Sequence, residues 1–371
     1  MPRDQRGQMV LVGTDGQKRV LASGFSAIGG TSWSPDASEV WFGATRASGA
    51  PHQIHAVSLA GRERLLYELA GAFGLYDVSR RGELLGDQIS GETQTRARGR
   101  GATEEAELPA ADMSFLSDLS DDGAQVLGTD TGEGGGPNFA FYLQKTDGSA
   151  PVWLGEGDGQ AISPDGRHVL AVLVHAKPEQ LIVVPTGAGE TRTLEPGPVV
   201  RYSRAVWDPT GRRVVFSGFD GEDVERVYLQ DVEGGPPKAV TTEDVGLPRI
   251  GRPVSPEGRR VVALGPDGLP ALYPLAGGDP VALPGLGEKD VPLSWTSDGR
   301  ELWVARYEDT PPRIERVDVS SGHARLWSRL GRSAPSGVHG QYRIMVTPDG
   351  ESYAYSFGRR TSELYLTSPM K

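Results

Sequence analysis

The chain has no cysteine, which removes disulfides, thiolate nucleophiles and cysteine-bound metals and leaves the redox compartment open. It has no basic surplus either. A formal net charge of −11 argues against a nucleic-acid partner, because a phosphate backbone selects for lysine and arginine. The basic cluster Arg96-Ala97-Arg98-Gly99-Arg100-Gly101 is followed by Glu104-Glu105-Ala106-Glu107 and reads as a solvated loop. Long apolar runs are missing too. The longest, Val169 to Val174, falls far short of the ~20 residues of a membrane helix, and Met1 to Arg6 holds no apolar leader core. The expectation is a chain that does not itself insert into a membrane.

The usual signatures of chemistry are also absent. The six histidines, His52, His55, His168, His175, His323 and His339, form no H-E-x-x-H or H-x-H pattern. His52 and His55 are three apart, which in a strand puts them on opposite faces. Gly132 to Gly136 is glycine-rich but lacks the Lys-Ser/Thr and helix of a phosphate loop. No G-x-S-x-G elbow is present. Asp220-Gly221-Glu222-Asp223 and Glu156-Gly157-Asp158 lack the alternating ligands of a calcium loop and read as turns. The expectation is no catalytic residue, no metal and no cofactor.

What the chain has is turns. It carries 51 Gly and 28 Pro, and eight copies of one four-residue turn: Ser34-Pro35-Asp36-Ala37, Ser79-Arg80-Arg81-Gly82, Ser120-Asp121-Asp122-Gly123, Ser163-Pro164-Asp165-Gly166, Asp208-Pro209-Thr210-Gly211, Ser255-Pro256-Glu257-Gly258, Thr296-Ser297-Asp298-Gly299 and Thr347-Pro348-Asp349-Gly350. Their fourth residues are spaced 45, 41, 43, 45, 47, 41 and 51 apart. Proline presets φ at the second position, aspartate bonds back to nearby amides, and glycine takes the left-handed conformation. Ala37 breaks that rule and predicts local strain.

Short alternating runs such as Val40-Trp41-Phe42, Val214-Val215-Phe216 and Leu302-Trp303-Val304 follow the turns, and a second glycine turn closes most units. A period in the forties made of strands predicts an all-β fold: a β-propeller of four-stranded antiparallel blades, eight-bladed by turn count, forming one domain over residues 1–371. Trp33, Trp207 and Trp295 precede their turns at one equivalent position, so all three are expected between blades. Residues 8–22 read as a half-blade, and Tyr353–Ser356 with Glu363–Thr367 as a last blade one strand short. Pairing the two ends would close the ring and remove exposed edges, with one strand displaced; otherwise the chain is the C-terminal part of a longer one.

These units resemble the TolB-type, WD-like propeller repeats. The phrases Glu133 to Gly148 and Tyr353 to Leu366 are similar to the C-terminal sensor propeller of bacterial membrane-anchored Ser/Thr protein kinases. That resemblance implies a sensor or interaction module with a kinase domain as partner in cis or trans, and a location outside the cytoplasm if the chain belongs to such a kinase. If complete as written, the chain is expected to be cytoplasmic. It carries no kinase motif. The alternatives are the propeller of a prolyl-oligopeptidase-like hydrolase and a self-contained propeller lactonase.

Loops entering the inner strands should ring a channel mouth on the face opposite the turns. Tyr202, Arg204, Arg249, Arg252, Tyr342 and Arg343 fall there, with His339. Arginine and tyrosine make anchoring contacts with anions and peptides, so the expected ligand is an anionic small molecule or an acidic peptide.

Overall fold

The repeated turn folds as its residues dictate. In Ser163-Pro164-Asp165-Gly166 the Gly166 amide donates to Ser163 O at 2.9 Å, and Gly166 sits at φ 70°. Ser163 Oγ and the Arg167 amide both donate to Asp165 Oδ1, and the His168 amide donates to Ser163 Oγ at 2.9 Å. The serine hydroxyl and the aspartate carboxylate of the hairpin are thereby engaged locally, while Thr186 donates to Gly166 O and Arg167 O from the next strand. The same bonds recur at Ser34, Ser120, Thr296 and Thr347. Ala37, where no glycine is available, is forced to φ 58°, the predicted strain.

A computed structural model describes residues 7–46, 52–69, 72–109, 114–308, 312–330 and 343–368. The chain is all-β, made among the described residues of small antiparallel sheets with one short 3-10 turn at Glu133–Gly135. It divides into two compact units, residues 1–92 with 360–371, and residues 93–359. The divisions fall inside the strands Leu84–Arg98 and Tyr353–Leu366.

The larger unit holds six blades. The first four-stranded sheet runs outward through Ser114–Leu119, Gln125–Asp130, Ala140–Lys145 and Val152–Glu156. The second starts at Asp158–Ile162, the third at Val199–Trp207 and the fifth at Asp290–Trp295. The fourth has Arg260–Leu264, Pro270–Pro274 and Val281–Ala282, with bridges Val254↔Val261 and Gly246↔Leu264 standing for its innermost strand. The sixth is Arg343–Val346, the first half of Tyr353–Leu366, the second half of Leu84–Arg98, and Ala106–Leu108.

Each inner strand is tied to the next. Ile162 N donates to Asp118 Oδ2, Trp207 Nε1 to Ala161 O, and Arg204 to Gly251 O. Trp295 Nε1 donates to Pro253 O, Ser294 Oγ to Val346 O, and Arg343 to Leu116 O. The last bond returns to the first blade, so this ring closes on six. Apolar side chains fill the gaps between blade faces, as Leu127, Phe141, Ile162, Val169 and Ile182 do between the first two.

All eight turn-bearing repeats form antiparallel sheets, six of them in the larger unit. The repeats at Ser34 and Ser79 lie in the smaller unit. There Gly7–Val12 pairs with Lys18–Phe25 as a two-stranded sheet, and Ala27–Trp33, Glu39–Thr45, His52–Ser58 and Glu63–Leu69 form a four-stranded one. Ala72–Val78 pairs with Leu84–Ile89, where Leu84 and Thr367 exchange bonds at 3.0 Å. The terminal strands therefore do not pair with each other. The last strand is also continuous from Tyr353 to Leu366, not two short ones, and even turn spacing carries no information about which inner strands become neighbours.

Trp207 and Trp295 are buried at 7% and 2% exposure, whereas Trp33 is 48% exposed, against expectation. Each buried indole bonds a carbonyl two residues before the preceding blade's turn. The sheet preceding Trp33 has two strands and no such turn. The basic stretch is likewise corrected: Arg96 and Arg98 lie in a strand, Arg98 stacks on Tyr353 at 4.7 Å, and Arg100 pairs with Asp349 and Glu351.

Candidate functional site

The inner strands share a device that equips the channel. In the first, second and fifth blades of the larger unit the pairing register shifts between Leu116 and Asp118, Gly159 and Ala161, and Pro292 and Ser294. Each shift is a bulge that leaves one residue, Ser117, Gln160 or Leu293, out of the ladder. Its carbonyl then needs a donor from elsewhere. Arg252 N supplies Leu293 O at 2.6 Å. Arg204, 4% exposed, supplies the other two, donating to Gln160 O and, at 3.3 Å each, to Ser117 O and Gly251 O. One guanidinium thus ties four blades together at the axis. Gly251 is glycine for the same reason, since a Cβ there would stand 2.0 Å from Leu293 O.

A charge so buried is costly unless compensated. Burial lowers Arg204 to about 10, with Asp118 and Asp158 opposing the fall. Asp118, 1% exposed, accepts from Arg252 Nε at 3.1 Å and NH2 at 2.9 Å, a two-point carboxylate–guanidinium pair. Arg252 also bonds Asp121. Burial disfavours the Arg252 charge, yet these two carboxylates outweigh it and hold the group above its ordinary value. Asp158 is pushed up by burial, although Arg343, Thr129 and Arg204 favour its ionised form. Burial lowers Arg343, whose guanidinium lies 4.8 Å over the Phe115 ring.

Arg204, Arg252 and Arg343 are therefore brought together, but with Asp118, Asp121 and Asp158 between them. Tyr202 is buried against Phe216 at 5.3 Å, and its amide donates to Glu179 Oε2 at 2.7 Å. Arg249 is exposed and close enough to weaken the Arg343 charge. Tyr342 and His339 lie outside the described residues. The three aspartates were the missed partners: Asp158, read as part of an acidic turn, instead opens an inner strand. Their signal was positional, because Asp118 occupies the place two before the turn that holds Ala161, Val206 or Ser294 in other blades.

The open concavity lies at the turn end. A cavity of about 320 Å³ is lined by residues of all six turns, Asp121, Pro164, Asp208, Pro209, Pro256, Ser297, Pro348 and Asp349, with walls of Ile162, Val206, Trp207, Val254 and Trp295 and a floor of Asp118 and Arg252. Pro209, Pro256 and Ser297 are exposed at the rim. The sequence had pointed to the opposite face. Among the described residues no group of three or more His, Asp or Glu is placed to hold a metal ion. His52 and His55 have separate partners, the Phe73 amide and Glu63.

No family model matches this sequence, and no curated protein matches it. Similar solved structures exist. A putative TolB from Agrobacterium tumefaciens is 17% identical over 93% of this chain and 94% of its own, with a TM-score of 0.39. A TolB from Acinetobacter baumannii is 13% identical over 96% of this chain and 62% of its own, with a TM-score of 0.31. An oligogalacturonate lyase in complex with manganese is 17% identical over 75% and 76%, with a TM-score of 0.45.

Proposed function

We propose that this propeller is a non-catalytic binding module whose ligand seats in the turn-end cavity of residues 93–359. The observation that carries the reading is the division of labour along the channel. Its interior is filled by Arg204, Arg252, Asp118 and Asp158, engaged with backbone and with one another. The turn end keeps a concavity of about 320 Å³, near the lower end of the ~300–1,000 Å³ of small-ligand pockets. The groups in that interior hold the ring together, and none is a nucleophile beside a base.

The resemblance to kinase-linked sensor propellers extends the reading to a sensor, with a kinase domain in cis or trans as the element that responds. Two measurements test it. Purified protein is expected to show no turnover of peptide, ester or lactone substrates, and a turnover abolished by one substitution in the cavity would overturn the non-catalytic reading. A Ser297→Trp change, which caps the cavity from an exposed rim position, is expected to abolish binding of whatever peptide a random-sequence array retains. A kinase domain with a membrane helix in the same reading frame or next to it would support the sensor role.

A further inference from the structure

The end of the channel away from the turns is short of carboxylates. Phe115, Asp158, Arg249 and Arg343 stand four to six residues ahead of the turns of the first, second, fourth and sixth blades, so they share one layer of the inner strands. Arg343 and Arg204 both bear on Asp158, whose oxygens already accept from Thr129 Oγ1 at 3.1 Å and Gln160 Nε2 at 2.9 Å. The neighbouring carboxylates are committed elsewhere. Asp118 and Asp121 hold Arg252, Glu179 accepts from the Tyr202 amide, and Asp290 and Glu315 hold Arg306.

Donors, by contrast, are left over. Arg343 spends one N–H, on Leu116 O at 3.4 Å, and stands over the Phe115 ring, an arrangement that leaves the edges of the fork open to a planar acceptor. Arg249 is exposed and has no partner among the described residues. Each guanidinium carries five N–H donors, and between them one is spent on the protein. The two flank the fifth blade, whose inner strand is clasped from both sides: Arg252 N donates to Leu293 O, and Ser294 Oγ to Val346 O. Their charges oppose one another. Burial and then Arg249 weaken the Arg343 charge, whereas the carboxylates on Arg252 strengthen that one against burial.

We propose that this mouth seats a carboxylate between Arg249 and Arg343, with the Phe115 ring holding the Arg343 fork in place. The seat is separate from the turn-end cavity. Arg204 and Arg252, expected from the sequence to touch a ligand, are spent on carbonyls and aspartates and take no part. Two guanidiniums can grip one carboxylate edge to edge, which a lysine cannot do.

The test uses the full chain and calorimetry at low ionic strength, where exposed charges are least screened, with four probes: glutarate, its neutral diamide, inorganic phosphate, and a capped alanine-rich pentapeptide with a central glutamate. Glutarate or the glutamate peptide is expected to bind, and the diamide at least tenfold more weakly. Arg249→Gln, at an exposed position, should weaken the carboxylate about tenfold with the melting temperature retained. Arg343→Lys, which keeps the charge and loses the fork, should do the same, and Arg249→Gln alone decides if that variant loosens the ring. Arg300→Gln, an equal change of charge at an exposed position beside a turn, should leave binding as it was. A peptide tighter than glutarate identifies a protein partner, and glutarate as tight or tighter a small molecule. If Arg300→Gln weakens binding as much as Arg249→Gln, the attraction is the general field of the surface and the seat is wrong. Phosphate as tight as either carboxylate would mean an adventitious ion only, and no binding of either carboxylate would overturn the proposal outright.

Discussion

The two buried tryptophans and the exposed one make a controlled comparison, since all occupy the same repeat position. Trp207→Ala removes a side chain that belongs to one core with Leu170, Val214 and Phe216, and should cost about 3–5 kcal/mol. Trp33→Ala should fall within ~1 kcal/mol, as exposed substitutions usually do. Urea unfolding of both variants decides it, and equal losses would show that Trp33 is covered. Arg204 makes a different prediction, because its three carbonyl acceptors lose their donor together. Arg204→Met should destabilise by roughly 3–5 kcal/mol, the range for breaking a buried charged network. An unchanged midpoint in the same unfolding experiment would mean that water replaces the guanidinium. Arg204 and Arg252 were legible as channel residues from their place before the turns. Their role was not, because the aspartates that hold them come from other blades, 134 residues away in the case of Asp118 and Arg252.

At the scale of elements, the turn was readable residue by residue because the bonds that close it are local. Serine, aspartate and glycine satisfy one another within six positions, so no distant partner is needed. The bulges were not readable, since they are created by how two strands register and not by a residue type. The turn carries its own pH dependence. The Ser163 hydroxyl, followed by the Arg167 amide, holds the Asp165 carboxyl below its usual range, and Asp36 is held at about 2 by Ser34 and Ser38. A folded pKa below the unfolded value means that the unfolded chain binds more protons. The stabilisation is therefore complete above the unfolded carboxylate value near ~4 and lost as pH falls through the folded one. Unfolding midpoints should drop steeply below about pH 4. Ser163→Ala should flatten its share of that slope, while leaving the midpoint at pH 7 lower by ~1 kcal/mol, the worth of a local hydrogen bond. A slope identical to wild type would assign the acid sensitivity to other groups.

For the whole molecule, the number of repeats and the class of fold were written in the turn spacing, but closure was not. Closure depends on Arg343 reaching Leu116 O and on two strands, 15 and 14 residues long, each longer than one blade uses. The sixth blade takes Thr93–Arg98 from one and Tyr353–Arg359 from the other, with Thr95 pairing Leu108 and Arg343 pairing Ser356. Residues 93–359 thus contain every strand of the six-membered ring, and its core runs through Leu116, Leu119, Ile344, Met345, Val346 and Tyr355 across the joint between sixth and first blades. Glu105 seals that blade by accepting from the Tyr353 and Tyr355 hydroxyls at 2.8 Å each. A chain cut to residues 93–359 should fold cooperatively, with the near-ultraviolet signal of its buried tryptophans intact. A chain cut to residues 93–330 should not, because it leaves the faces of the first and fifth blades bare, two apolar surfaces that no soluble ring exposes together. If the longer fragment is unfolded while the full chain is not, the ring does not stand alone and the closure described by Arg343 and Leu116 is not what stabilises it; if the shorter fragment folds, the sixth blade is dispensable and the closure is not needed at all.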